Sequence, residues 1–181
     1  MPVKRLLMLI GLLHLMQISS AIASPLGVSF TYPIISQDPP NLHGYRGTLT
    51  YQPDSLIWKH WQIYFDSGFG HWWVNNSSIG NDSLSIYSIS PIFRFYFTKN
   101  NYISPFLDLS IGFAYLTKTR IADRRLGIHF SFQDQVGLGI SLGVEQRFFV
   151  SASILHYSNG SLSKTNAGIT VPLLLNMGYR F

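Results

Sequence analysis

The sequence predicts an all-β protein: an eight-stranded antiparallel transmembrane β-barrel, polar inside and apolar outside. Three observations point there. Apolar and polar residues alternate with period two over most of the chain, the signature of a strand. Charged residues make up 12% of the sequence and aromatic residues 15%, where a soluble domain averages about 25% charged. The two faces of each alternating segment also differ in bulk, one large and aromatic, the other built mainly of Gly, Ser, Thr and Ala.

Residues 1–23 read as a signal peptide. Lys4-Arg5 is followed by an apolar run from Leu6 to Leu15 and by Ala21-Ile22-Ala23, a cleavage-site pattern. His14 and Gln17 interrupt the apolar stretch, and a membrane anchor needs about 20 apolar residues. Residues 24–181 are then a single domain. Thirteen basic residues less Lys4 and Arg5 leave eleven against eight acidic ones, a net charge of +3. A balance so mild does not point to nucleic acid. There is no cysteine, so an exported chain must hold together without disulfides.

The strands follow in order. Leu26, Val28, Phe30 and Tyr32 oppose Gly27, Ser29 and Thr31; Tyr45, Leu49 and Tyr51 oppose Arg46, Thr48 and Thr50. Trp61, Ile63, Phe65, Phe69 and Trp73 oppose Gln62, Asp66, Gly68 and Gly70. Ile89, Phe93, Phe95 and Phe97 oppose Ser88, Ser90, Arg94 and Tyr96. Two longer segments come next, Ile103 to Tyr115 and Ile128 to Ile140, with Ser104, Asp108, Ser131, Gln133 and Gly137 on their polar faces. Phe148, Val150, Ala152 and Ile154 oppose Arg147, Ser151 and Ser153. Last, Val171, Leu173, Leu175, Met177, Tyr179 and Phe181 oppose Leu174, Asn176, Gly178 and Arg180.

Strands of about 9–11 residues or more cross a bilayer when tilted. Small polar side chains fit the narrow bore of an eight-stranded barrel, and the bulky face does not, so it belongs in lipid. A soluble lipocalin-like barrel needs the opposite arrangement. Short connections at Gln52–Ile57, Thr98–Asn101 and near Gly143 alternate with longer ones at Ser36–His43, Val74–Ser83, Thr117–Leu126 and Asn159–Ala167. Short periplasmic turns and long external loops are the outer-membrane pattern. His71, Trp72 and Trp73 fall near an outer strand end and read as an interfacial aromatic girdle.

His156 and Ser158 share the parity of Phe148 to Ile154 and so lie on the apolar face at the external rim. Polar groups on a lipid-facing strand cost least near the interface. Residues two apart are roughly 6.6 Å apart along a strand, within reach of a leaning imidazole. A serine beside a histidine is an arrangement for acyl transfer, and a site at that rim faces lipid.

The stretch His156-Tyr157-Ser158-Asn159, with Leu162 and Asn166-x-Gly168-Ile169, resembles the PagL type of lipid A 3-O-deacylases, outer-membrane acyloxyacyl hydrolases. Weaker similarity runs over most of the mature chain: His71-Trp72-Trp73, Pro91-x-Phe93, Pro105-Phe106, Thr119-Arg120, Leu126-Gly127 and Phe130 to Gly137. The C-terminal Phe181 is likewise typical of outer-membrane barrels. The resemblance implies an outer-membrane esterase with lipopolysaccharide as substrate and no cofactor. It makes Ser158 the nucleophile, His156 the general base and Asn166 the oxyanion donor, with Asn159 beside it. A homodimer is compatible with it and not selected by it.

One position departs from the pattern. The family has a glutamate that orients the histidine, and here that place is Thr170. The only glutamate, Glu145, is eleven residues from His156, roughly 36 Å along a strand, and cannot substitute. Counted back from Phe181, Thr170 points inward unless Pro172 marks a bulge, one of the places where sheets accept proline. Asp134 is a candidate substitute acid, since its parity sets a charge on the lipid face. If it lies several residues out of register with His156, it only meets interfacial water.

Lys118, Arg120, Arg124, Arg125 and Lys164 cluster at the external rim and are candidate contacts for the phosphates of lipid A. Three motif matches carry nothing. Ser161-x-x-Lys164 lacks companion motifs, Gly137-x-Gly139 lies on a strand, and the histidines are too scattered for a metal site. The rival function is a non-catalytic barrel of the same fold with a degenerate site, binding lipopolysaccharide or purely structural.

Overall fold

The computed structural model describes residues 24–75, 80–100 and 102–181; the expected signal peptide lies outside them. Eight long strands close into one barrel: β1 (Leu26–Ile35), β2 (Leu42–Tyr51), β3 (Trp61–Val74), β4 (Ser83–Tyr96), β5 (Ile103–Leu116), β8 (Phe130–Leu142), β9 (Phe148–Ser158) and β10 (Ile169–Arg180). Around the barrel the order is β1-β10-β9-β8-β5-β4-β3-β2, every neighbour antiparallel. The Thr117–Leu126 connection, expected as loop, carries a small hairpin of β6 (Arg120–Ile121) and β7 (Arg124–Arg125). At the opposite end the connection after β2 holds a short 3-10 turn, Asp54–Leu56. Chain ends and short turns share one end of the barrel, and His156 and Ser158 sit toward the other.

The outward face is as apolar as the alternation requires; Ile111 is 68% exposed and Leu138 59%. A soluble protein could not carry so continuous an apolar surface, because patches beyond a few hundred Å² mark binding or membrane contact.

The interior is polar through its middle and toward the chain ends, and at the His156 end Ser131 and Gln133 lie among apolar side chains. In the polar part Arg46 pairs with Asp66 at 2.9 Å, and Arg94 pairs with Asp108 at 2.8 Å while lying over the Phe106 ring. Near the His156 end the bore is filled by an apolar plug that includes Trp72, Leu84, Ile86, Leu116, Leu155, Val171 and Leu174, closed by Ile121 and Leu126 of the hairpin region. Trp72 is therefore not part of the girdle. It is fully buried inside, against Gly44, where an added Cβ would stand 2.5 Å from the indole. His71 and Trp73 do face outward, and His71 stacks loosely between Tyr45 and Trp73.

β10 departs from strict alternation. Val171 pairs with Leu155 and Leu174 with Ser153, so Pro172 and Leu173 together oppose Ile154, a bulge. The extra residue flips parity. Val171 points inward and is fully buried, a correction to its expected place on the apolar face, while Thr170 turns outward.

Candidate active site

The site is one cross-strand row on the outer face at the loop end of the barrel. His156 on β9 is flanked in register by Asp134 on β8 and by Thr170 on β10. Directly opposed side chains on one face have Cβ atoms about 4.5–5.5 Å apart, so all three share one patch. Asp134 is thus in register with His156, not displaced from it. It makes no ion pair with the ring within 4 Å, which leaves it a neighbouring charge and not a hydrogen-bond partner.

Thr170 makes the direct contact: its Oγ1 lies 2.9 Å from His156 Nδ1. The β10 bulge is what permits this, because without the extra residue the hydroxyl would face the plug. The far edge of the ring rests on Gly168, whose φ is +65° and where an added Cβ would stand 3.0 Å from Cε1. Glycine fits here twice over, for its backbone conformation and for the absent side chain. Nε2 has no hydrogen bond to any described residue, and the imidazole is half-buried. Ser158, two residues further along the same face, is also half-buried. Its carbonyl accepts the hydroxyl of Ser131 at 3.0 Å, which steadies the strand end.

The two asparagines are placed differently. Asn159 is buried at 2% exposure, and its amide nitrogen donates to the carbonyls of Leu126 and Thr165, both at 2.8 Å. Both amide hydrogens are used in clamping the loop, so none is left for an oxyanion. Asn166 is exposed, and its Oδ1 accepts the backbone N–H of Asn159 at 2.9 Å. A backbone N–H can only donate, so this bond fixes the amide oxygen inward and turns the NH₂ group outward.

The five cationic candidates also divide. Arg120 donates to the Ala122 carbonyl at 2.9 Å within the hairpin. Arg124 is turned inward: it donates to the carbonyls of Gly168, at 3.2 Å, and Ala167, and pairs with Asp38 at 3.2 Å. Lys118, Arg125 and Lys164 form no ion pair among the described residues and stay available to a ligand at the rim. Asp38 itself was not legible as a site residue. It lies in the β1–β2 loop and exchanges backbone hydrogen bonds with Thr170, at 2.9 and 3.2 Å; only long-range pairing brings it here.

From this row an apolar groove of about 350 Å³ runs down the outer face, lined by Val136 and Leu138, Ala152 and Ile154, and Pro172 and Leu173. Small Ala152 on β9 and the β10 bulge open it. From Ser158 to Ala152 is six residues, roughly 20 Å along the strand. No group of three His, Asp or Glu that could hold a metal ion occurs among the described residues. The arrangement offers a hydroxyl, an imidazole held at one nitrogen and open at the other, an outward amide donor, and an apolar channel. That combination suits attack on an ester whose acyl chain lies in lipid.

Residues 43–180 match the family model for "Lipid A 3-O-deacylase (PagL)". The chain is similar to the lipid A deacylase PagL of Pseudomonas aeruginosa, 33% identical over 129 residues, covering 69% of this chain and 71% of that protein. It is 29% identical over 147 residues to the lipid A deacylase PagL of Bordetella bronchiseptica, covering 77% and 78%. The crystal structure of the outer membrane enzyme PagL superposes with a TM-score of 0.72 at 25% identity, covering 86% of this chain and 99% of that one. Neisserial surface protein A (NspA) superposes with a TM-score of 0.52 at 13% identity over 89% of this chain and all of that one, a likeness of fold alone.

Proposed function

The chain belongs to the lipid A 3-O-deacylase (PagL) family of outer-membrane β-barrels, and from that premise we propose that it removes the 3-linked acyl chain of lipid A, with Ser158 as nucleophile and His156 as general base. The observation that carries this reading is the Thr170–Nδ1 hydrogen bond at 2.9 Å. It holds the ring by one nitrogen and leaves Nε2 to take the serine proton.

Ser158 Oγ attacks the acyl carbonyl carbon and passes its proton to Nε2. The oxyanion forms beside the Asn166 NH₂ group, a donor of a kind worth about 3–4 kcal/mol of barrier. Collapse breaks the bond between the carbonyl carbon and the sugar 3-oxygen, which takes the proton back from His156. Water then attacks the acyl-serine, again losing its proton to His156; the bond between the carbonyl carbon and Ser158 Oγ breaks, Oγ takes that proton back, and the fatty acid leaves. Lys118, Arg125 and Lys164 meet the phosphates of the substrate at the rim.

Thr170 differs from a carboxylate in two ways. A hydroxyl both accepts and donates, so it orients the ring without enforcing the tautomer, and it brings no charge to the imidazolium. Asp134 supplies that charge across the strand pair. At a separation of about 6 Å and an effective dielectric near 20, the attraction is of order 1–3 kcal/mol.

The weaker hold at Thr170 also supports a second reading, a barrel of the same fold with a degenerate site that binds lipopolysaccharide without cleaving it. Mass spectrometry of lipid A from cells producing the protein separates the two. Deacylation predicts loss of one hydroxyacyl chain, restored in full by Ser158→Ala. A correctly inserted barrel that leaves lipid A intact rules out the enzyme.

A further inference from the structure

We propose that Arg124 is a positioning residue of this site, a clamp that fixes the turn carrying both Asn166 and Thr170; this rests on the function proposed above. Its guanidinium spreads over three acceptors. Nε donates to the Gly168 carbonyl at 3.2 Å, one terminal nitrogen to the Ala167 carbonyl, and the other pairs with Asp38 Oδ1 at 3.2 Å. The side chain is only 25% exposed and Asp38 34%, so the pair is partly shielded from solvent.

What it holds matters for the chemistry. Ala167 and Gly168 stand between the outward amide of Asn166 and the hydroxyl of Thr170. Gly168 is also the surface on which the His156 ring edge rests. The anchor at the other end is not a loose carboxylate. Asp38 exchanges two backbone hydrogen bonds with Thr170, and the Ala167 N–H donates to the Arg125 carbonyl at 3.0 Å. Three connections (β1–β2, the β6–β7 hairpin and β9–β10) are thus tied at one guanidinium. If the turn shifts, the oxyanion donor and the histidine's partner shift together.

A planar fork with five N–H donors can satisfy three acceptors at once, where an ammonium cannot match the geometry. The competing role, a phosphate contact on lipid A, has only the two N–H groups that these three acceptors leave over.

The test uses the full-length barrel in detergent micelles, with folding checked by heat-modifiable migration. Arg124→Met should lower kcat by about 10²-fold, the scale of a displacement near 1 Å in a catalytic group, while KM stays within about twofold. The loss should be the same on lipid A and on dephosphorylated lipid A. Arg124→Lys should recover part of kcat, and Asp38→Asn combined with Arg124→Met should cost little beyond Arg124→Met alone, since the two act as one unit. A rise in KM confined to the phosphorylated substrate would make Arg124 a phosphate ligand and overturn the proposal, as would an unchanged kcat. If wild-type protein shows no deacylation, the enzymatic reading fails by itself, and amide hydrogen exchange then decides the clamp. Faster exchange at 167–170 in Arg124→Met supports it, and unchanged exchange overturns it.

Discussion

Thr170→Glu should make this barrel a faster esterase. The Thr170 hydroxyl lies 2.9 Å from His156 Nδ1 on the outward face, and the residue is only partly buried, so a longer side chain has room to lean along the strand. A neutral hydrogen bond contributes about 1 kcal/mol net, and one to a charged group about 1.5–3 kcal/mol. The gain as the ring becomes imidazolium is then about 0.5–2 kcal/mol, or roughly 2- to 30-fold in kcat. The ceiling is the 10⁴-fold or so lost when a serine protease triad loses its acid; on the proposed reading it is not reached here, because Asp134 already supplies charge. Thr170→Val keeps the shape and removes the hydroxyl, and should lower kcat about fivefold. The assay is the initial rate of hydroxyacyl release from lipid A in mixed micelles, with single-turnover measurements to separate chemistry from product release. If both variants fold and both turn over at the wild-type rate, the bond at Nδ1 plays no part in the reaction and the argument for His156 collapses.

Three further outcomes follow from the same geometry. Asp134→Asn should lower kcat about 5- to 150-fold in the Thr170 protein and much less in the Thr170→Glu background, a coupling that rate measurements on the double variant would expose. Asn166→Ala should cost about 10²–10³ in kcat with little change in KM, as expected of an oxyanion donor, whereas an equal loss in binding would place Asn166 on the ground-state substrate. Ala152→Phe fills the groove, and its effect should depend on acyl length: about tenfold slower on long chains and unchanged on chains too short to reach Ala152, roughly 20 Å from Ser158. Lipid tails surround the groove already, so its value lies in holding the chain in line and not in hydrophobic transfer.

Much of this was legible because burial on one face enforces period two. The alternation from Leu26 to Ser158 put His156, Ser158 and Asp134 on the outer face, where they are. The same parity argued for Trp72 pointing inward, since Phe69 and Trp73 face out, but three aromatic rings in a row read more readily as a girdle. The apolar plug is not read from the sequence because the alternation is clear only from Ser88 onward, which leaves Leu84 and Ile86, just after the Val74–Ser83 connection, on neither face. The β6–β7 hairpin has two-residue strands, too short for any periodicity. Thr170 could be stated only conditionally: alternation pointed it inward, and only an unpaired residue near Pro172 could reverse that. Asp38 carries no local signal, and Arg124 reads from the sequence only as a rim cation, because the contacts between them span the barrel's loops.

The register between β8 and β9 decides what Asp134 means. A carboxylate on a lipid-facing strand is costly at the bilayer midplane and nearly free at the interface. In water it would be screened within about 8 Å at physiological salt. Between those limits lies a narrow depth at which a charge is cheap to place and still felt by a neighbouring imidazole. Asp134, His156 and Thr170 share one row, and the proposed reading sets that row at such a depth. The glutamate implied by the family resemblance performs two tasks in one side chain, orienting the ring and balancing its charge. On the proposed reading the tasks are divided here between strands, with Thr170 on β10 holding Nδ1 and Asp134 on β8 facing the ring from the other side. Such a division asks less of either residue but more of the register, because a slip of one position in either pairing would turn one partner into the plug. That is why the β10 bulge belongs to the site as much as the side chains do.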